Sequence, residues 1–171
     1  EVEALFGKAP VEREIEADVV AYITVGGVTV KKTVPVVFKA QLTAPHISEN
    51  YYIVGGTLDW AASCATKEQK FLHSDQSVYD DPYFSIVIPA SAEGDTWFAI
   101  GDDEALDAIN NDNDWSKLLG TTNGNGNSGE EGHLAPRYEL SDDGSFMVPN
   151  GAKFIKVDLN MLDGTYTVAS L

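Results

Sequence analysis

Trp60, Trp97 and Trp115, together with Tyr79 and Tyr83, are the side chains of this 171-residue chain best suited to a recognition task. The CH groups on one side of a pyranose pack against an aromatic face, and a phenol hydroxyl can also exchange a hydrogen bond with a sugar oxygen. Trp97 precedes Phe98 in the strand-like TWFAIG. Neighbours on a strand face opposite ways, so if Phe98 fills the core, Trp97 turns outward as a platform. Trp115 follows an Asn/Asp-rich stretch in DNDWSKLLG. Tyr79 and Tyr83, in SVYDDPYF, are the candidates for a further ring. Tryptophan is usually largely buried, so covering a sandwich end or packing at an edge competes with binding at each Trp.

Covalent and acid–base chemistry finds no comparable foothold. Glycoside hydrolysis needs two carboxylates facing one cleft at a set separation, and among 27 Asp and Glu residues no pair is distinguished. His46, His73 and His133 are far apart and outside HExxH spacing, and no serine sits in a G-x-S-x-G elbow. No catalytic residue and no cofactor are expected. The cluster from Asp102 to Asp114 offers the hard oxygen ligands calcium prefers, but it misses the EF-hand spacing. Asx turns that bond their own backbone explain it better, and no metal site is expected.

Composition narrows the partners. The 27 acidic residues against 11 basic ones give a net charge of -16, which repels nucleic-acid phosphates and anionic lipid surfaces and leaves a neutral ligand such as a glycan unaffected. Cys64 is the single cysteine and cannot form an intramolecular disulfide. No stretch approaches the roughly 18 consecutive apolar residues of a membrane span. The opening EVEALFGKAP lacks the basic-then-apolar layout of a signal peptide, so the chain reads as a processed or cut segment with any targeting segment upstream.

The elements that must position these rings read as strands. From Ile15 to Ala40 the chain is rich in Val, Thr and Ile, and Gly26-Gly27 divides ITV from VTV with the spacing of a two-residue hairpin. TVPVVFKAQLTAP stays extended and ends at Pro45, which suits a last strand and a linker. YYIVGG, YFSIVIPA and DTWFAIG are further short apolar runs closed by Gly, Pro or Asp. DDEALDAIN predicts a short helix cut off by NNDNDW, and GTTNGNGNSGEEG, without apolar anchors, predicts a mobile loop. In KFIKVDLNMLDGTYTVASL, Ile155, Val157, Leu159 and Met161 alternate with Lys156, Asp158 and Asn160, the period of a half-buried strand. Asp163-Gly164 then suits a type I′ turn into a partner strand. Many short strands with at most one short helix predict an all-β sandwich.

Four ordered pieces carry a resemblance over most of residues 46–171: YYIVGGTLDW, TWFAIG, DNDWSKLLG with its Gly/Asn loop and GHL, and FMVPNGAKFIKVDLNMLDGTYTV. The last is the most specific, being similar to the closing hairpin of the carbohydrate-binding-like domains of SusE/SusF-type outer-membrane lipoproteins of gut Bacteroidetes. Upstream, LFGKAPVEREIEADVVAYITVGGVTVKKTVPVVFKAQLTAP resembles the closing strands of the immunoglobulin-like domain that precedes them. The resemblance implies two parts: residues 1–44 as the C-terminal strands of an immunoglobulin-like β-sandwich, and residues 45–171 as a carbohydrate-binding-module-like β-sandwich. It implies non-catalytic glycan binding, starch being the glycan of part of the family, on a lipid-anchored protein exposed at the outer membrane. Other outer-membrane uptake proteins would be its partners.

Trp60 falls where the family's domains tend to carry a binding-face tryptophan, and Trp115 lies in a piece that recurs across the family, which implies mainly an anchor that pins the loop. Starch-binding members pair their rings with Arg or Lys. Lys70, Arg137 and Lys153 are the basic candidates, and Lys70 joins Trp60, Trp97, Trp115, Tyr79 and Tyr83 in the expected ligand-binding set. The alternative is a spacer or partner-binding module of the uptake complex with no glycan site. An open ring beside a basic side chain marks the first reading; rings buried in the core mark the second.

Overall fold

A computed structural model describes residues 5–171; the expectation about the opening residues falls in part on residues 1–4, outside the described residues. The chain divides into two compact units between Pro45 and His46.

In the first unit, β1 (Arg13–Val25) and β2 (Val28–Ala40) pair antiparallel without a break, from Arg13↔Ala40 to Val25↔Val28. Gly26 and Gly27, at φ 58° and 81°, make the left-handed turn that a two-residue hairpin of this hand requires. Pro35 pairs with Asp18. Both strands of a two-stranded ribbon are edges, so a residue lacking N–H is accommodated there.

The second unit holds β3 (Tyr51–Gly56), β4 (Tyr83–Pro89), β5 (Thr96–Asp102), helix α1 (Asp103–Asp112), β6 (Leu119–Thr121), β7 (Glu131–Pro136), β8 (Phe146–Val148), β9 (Phe154–Asn160) and β10 (Thr165–Ser170). Its strands run in the order β3-β5-β6-β7-β10-β9-β4, with β8 also on β5, and all pairings are antiparallel. β7 joins the two halves of the sheet: Glu131 to His133 pair with β10, and Leu134 to Pro136 with β6. Between the outer strands β3 and β4, a short segment bridges Lys70 to Tyr52 and Leu72 to Ser85, with Phe71 N–H bonded to the Tyr51 carbonyl at 2.9 Å. The result is the expected all-β fold, a sandwich almost closed into a barrel.

Its main core is filled from every strand face that points inward. On β9 the alternation is realised as read: Ile155 and Val157 are fully buried and Leu159 is 2% exposed, while Lys156 and Asp158 on the other face meet solvent. Tyr51, Ile53, Phe84, Phe98, Ile100, Phe146 and Tyr166 are the large side chains packed with them, together with Phe71 and smaller aliphatic residues.

A second, smaller core lies on the outer face of β3 and β5. Tyr52, Val54 and Ala99 point outward there and are covered by Ala105, Leu106 and Ile109 of α1, with Cys64 and Leu118. β3 is therefore buried on both faces, which is why it reads YYIV rather than alternating. Asp102 caps α1 by accepting from Ala105 N–H at 2.8 Å, and Asp103 and Glu104 sit in its first turn, where the helix dipole favours them. The helix stops at Asn113 in the left-handed conformation, matching the short helix read from DDEALDAIN.

Two local readings are corrected. The β9–β10 connection is not a two-residue turn at Asp163-Gly164: Asn160 pairs with Thr165, the loop runs from Met161 to Gly164, and only Gly164 has positive φ. The Asn160 carboxamide oxygen accepts from Leu162 and Asp163 N–H and folds the longer turn. The Gly/Asn-rich loop is not free of anchors either. Asn123 Nδ2 donates to the Ser128 and Glu131 carbonyls at 3.0 and 3.2 Å, Asn125 N–H bonds the Asp142 carboxylate, and Ser128 is 1% exposed. Polar side chains do the anchoring that apolar ones do not.

Candidate functional site

The outer face of β3 and β5 is only partly covered by α1, and the uncovered end is where the tryptophans gather. Phe98 enters the main core with no exposure, so Trp97 and Ala99 share the opposite face. Ala99 lies under the helix, whereas Trp97 is half-buried beyond it. The loop after β6 crosses the Trp97 ring at Gly126, where an added Cβ would stand 2.6 Å from Cη2. Trp60 follows the end of β3 and is 43% exposed. Its ring lies against Gly55, whose φ of 91° and closeness to Trp60 Cζ2, 2.8 Å from an added Cβ, leave no room for a side chain.

Trp115 arrives from the helix terminus. The Asn113 carboxamide that ends α1 accepts from Trp115 Nε1–H at 3.1 Å, and the half-buried indole packs on the second core. Its ring and that of Trp60 are 6.2 Å apart and inclined at 53°.

The cation beside these rings is Arg137. It follows Pro136 in a single 3-10 turn, Arg137–Glu139, held by its N–H bond to the Leu118 carbonyl at 2.8 Å. The guanidinium carbon lies 5.5 Å from the centre of the Trp60 ring, and Nη2 donates to Ser145 Oγ at 2.8 Å. Nε is buried without a hydrogen-bond partner. Burial pulls the Arg137 pKa down, with the Asp143 charge opposing, but a guanidinium stays charged at any physiological pH. Trp60, Trp97, Trp115, Arg137, Asp143 and Ser145 line one open cleft of about 380 Å³.

Of the six expected site residues, the structure brings together Trp60, Trp97 and Trp115 and leaves three elsewhere. Tyr79 packs against the main core, with its hydroxyl accepting from Ile47 N–H at 3.5 Å. Tyr83 is 62% exposed on β4 and lines a separate cleft with Leu72 and His73. Lys70 is exposed on the segment that bridges β3 and β4, and the basic residue at the rings is Arg137 instead. Lys153 is tied by its backbone to Leu171, away from the cleft. The sequence offered little to single out Arg137, because no local motif marks a residue that reaches the rings from the end of β7.

The acidic cluster is consumed locally. Asp102 caps α1, Asp103 pairs with Lys67 and accepts from Asn50 Nδ2 and Tyr52 Oη, Glu104 pairs with Lys117, and Asp114 accepts from Ser116 N–H. Among the described residues no three His, Cys, Asp or Glu side chains gather to hold a metal ion.

A near-closed antiparallel sandwich that exposes tilted aromatic rings backed by one cation has the build of a carbohydrate-binding module. Residues 46–170 match the family described as "SusF, first starch specific CBM", and the chain belongs to that family of non-catalytic carbohydrate-binding modules. Among solved structures, the crystal structure of SusF from Bacteroides thetaiotaomicron is similar at 22% identity and a TM-score of 0.52, covering 98% of this chain and 35% of that one, a likeness of fold. The chain thus spans 35% of the length of that protein. Comparison with curated proteins finds no match.

Proposed function

We propose that this module holds a starch-type α-glucan through Trp60, Trp115 and Arg137, with Trp97 as a flanking ring, and does not cleave it. One observation carries the reading. Three rings and a cation from segments remote in sequence converge on one solvent-open cleft in a strongly acidic chain. Two platforms inclined at 53° present a bent surface, which suits the curving chain of an α-linked glucan better than a flat β-linked ribbon. Apolar sugar faces would stack on the indoles, and the guanidinium, with its planar fork of N–H donors, would bond adjacent hydroxyls. Ser145 holds one of those donors and so fixes the fork's direction.

Hydrolysis is outside this reading, because the cleft is lined by one carboxylate, Asp143, where the reaction needs two. The reading extends to the parent protein: residues 1–44 would be the closing strands of an immunoglobulin-like domain and residues 45–171 the binding module. A lipid anchor upstream would hold both at the bacterial surface beside the uptake machinery.

The test is intrinsic tryptophan fluorescence during titration with amylopectin, maltoheptaose and, for contrast, a soluble mixed-linkage β-glucan. It is repeated on Trp60→Ala after near-ultraviolet circular dichroism has shown the variant folded. A saturable response to the α-glucans that Trp60→Ala abolishes is expected. Silence towards every α-glucan, with affinity electrophoresis in amylopectin gels also blank, would overturn the proposal.

A further inference from the structure

The turn that carries Arg137 also carries an exposed ring that the cleft does not use. Tyr138 is 65% exposed, and its N–H bonds the Ser116 carbonyl at 3.1 Å, while Arg137 N–H bonds that of Leu118. These two bonds lock the Arg137–Glu139 turn onto the segment running from Trp115 to Leu118. In a 3-10 turn consecutive side chains diverge by roughly 120°, so Arg137 and Tyr138 leave one support towards different clefts.

The cleft beside Tyr138 has a volume of about 330 Å³ and is lined by His46, Glu104, Lys117, Pro136 and Tyr138 among others. Lys117 lies two residues beyond Trp115, and its ammonium is paired with Glu104 at 2.5 Å, leaving further N–H donors for a ligand. A ring, a cation and a carboxylate therefore recur: Trp60, Arg137 and Asp143 in the first cleft, Tyr138, Lys117 and Glu104 in the second. Arg137 and Tyr138 stand on one of the two cross-bonded turns and Lys117 on the other.

We propose that the second cleft is an extension of the glycan site, engaged by the same oligosaccharide once it is long enough to pass from Trp115 to Tyr138. The inference rests on the glycan-binding reading above and adds to it a preference for long chains. Tyr138 supplies the stacking face, and the Lys117–Glu104 pair supplies a donor and an acceptor for hydroxyls. Neither cation sits in a loop free to drift, since each is tied to a turn that the other turn holds.

The experiment is calorimetric titration of the native protein, Tyr138→Ala and Tyr138→Phe with malto-oligosaccharides from maltotriose to maltodecaose. Native affinity should rise with length beyond the span of the first cleft. The ratio of long-chain to short-chain affinity should fall roughly two- to tenfold in Tyr138→Ala, the range that one aromatic contact supports, and be largely kept in Tyr138→Phe, which retains the ring. A native affinity that stops rising at the shortest oligomers, or a Tyr138→Ala ratio equal to the native one, would overturn the extension while leaving the first cleft standing. Absence of binding by the native protein at every length would overturn both.

Discussion

Replacing Arg137 with methionine keeps an unbranched stem packed beside Trp60 and deletes the guanidinium. The native charge is poorly compensated. It is half-buried, forms no ion pair among the described residues, and leaves Nε without a partner. Its direct compensations are the bond to Ser145 Oγ at 2.8 Å and the Trp60 ring at 5.5 Å. A hydrogen bond from a charged donor contributes about 1.5–3 kcal/mol and a cation over a ring about 0.5–2 kcal/mol, against several kcal/mol for withdrawing an ion from water. These contributions nearly cancel, so Arg137→Met should unfold within about 1 kcal/mol of the native protein, or above it.

Glycan affinity should behave differently. Under the proposed function the variant would lose the charge-assisted bonds to sugar hydroxyls, at about 1.5–3 kcal/mol, which is roughly 10- to 100-fold in Kd. Urea denaturation and calorimetric titration with maltoheptaose, run on the same preparations, read the two quantities separately. Binding within twofold of native, or a stability loss of several kcal/mol, would refute the reasoning. The first outcome would mean the guanidinium does not touch the ligand, and the second that it holds the fold together.

Two further outcomes follow from the network and the acidic surface. Tyr166, 2% exposed, donates its hydroxyl proton to the Ser128 carbonyl at 2.5 Å and accepts from Thr121 Oγ1 at 2.6 Å; Tyr166→Phe leaves the buried Thr121 O–H without its acceptor, though Thr121 Oγ1 still accepts from Asn123 N–H, and should cost about 1–3 kcal/mol, read as a lower urea midpoint at unchanged slope. Asp103 has its carboxyl held below the usual range first by Lys67, then by Asn50, with Tyr52 helping and burial opposing. Because its folded pKa is depressed, its contribution is present above the unfolded pKa of about 4 and is lost as pH falls through the folded value. Asp103→Asn should therefore be modestly less stable than native near neutral pH, with the gap closing in acid and shrinking in high salt, measured as urea midpoints across that range.

What could be read ahead of the structure was whatever a strand or helix period records. The alternation over Ile155 to Leu159 set β9, the apolar YYIV set a strand without showing that both its faces are buried, and Trp97 beside Phe98 had to turn outward once Phe98 went in. Side-chain hydrogen bonds leave no such period. Asn160 folding its own turn and Asn123 gathering the Gly-rich loop are choices a polar residue makes among local partners, and they overrode the readings of a type I′ hairpin and an unanchored loop. Lys70 and Arg137 were equally plain as surface cations. Only the path of β7, ending where the helix terminus also ends, put Arg137 over Trp60.

The position of the cleft follows from the lengths of the two elements that meet there. Seven residues of β5 extend about 24 Å, whereas the ten residues of α1 span about 15 Å. The helix starts where β5 ends and packs Ala105 and Leu106 over Gly101, so its cover is complete at that end of the strand and gives out towards Trp97. The exposed remainder of the outer face needs large apolar side chains, and Trp60, Trp97 and Trp115 supply them while keeping part of each ring in water. Rings fixed this way, on a strand buried on both faces, a strand end and a helix cap, have little freedom to lose when a sugar docks. Under the proposed function, the affinity of a cleft three indoles wide would then depend on that pre-organisation more than on its area.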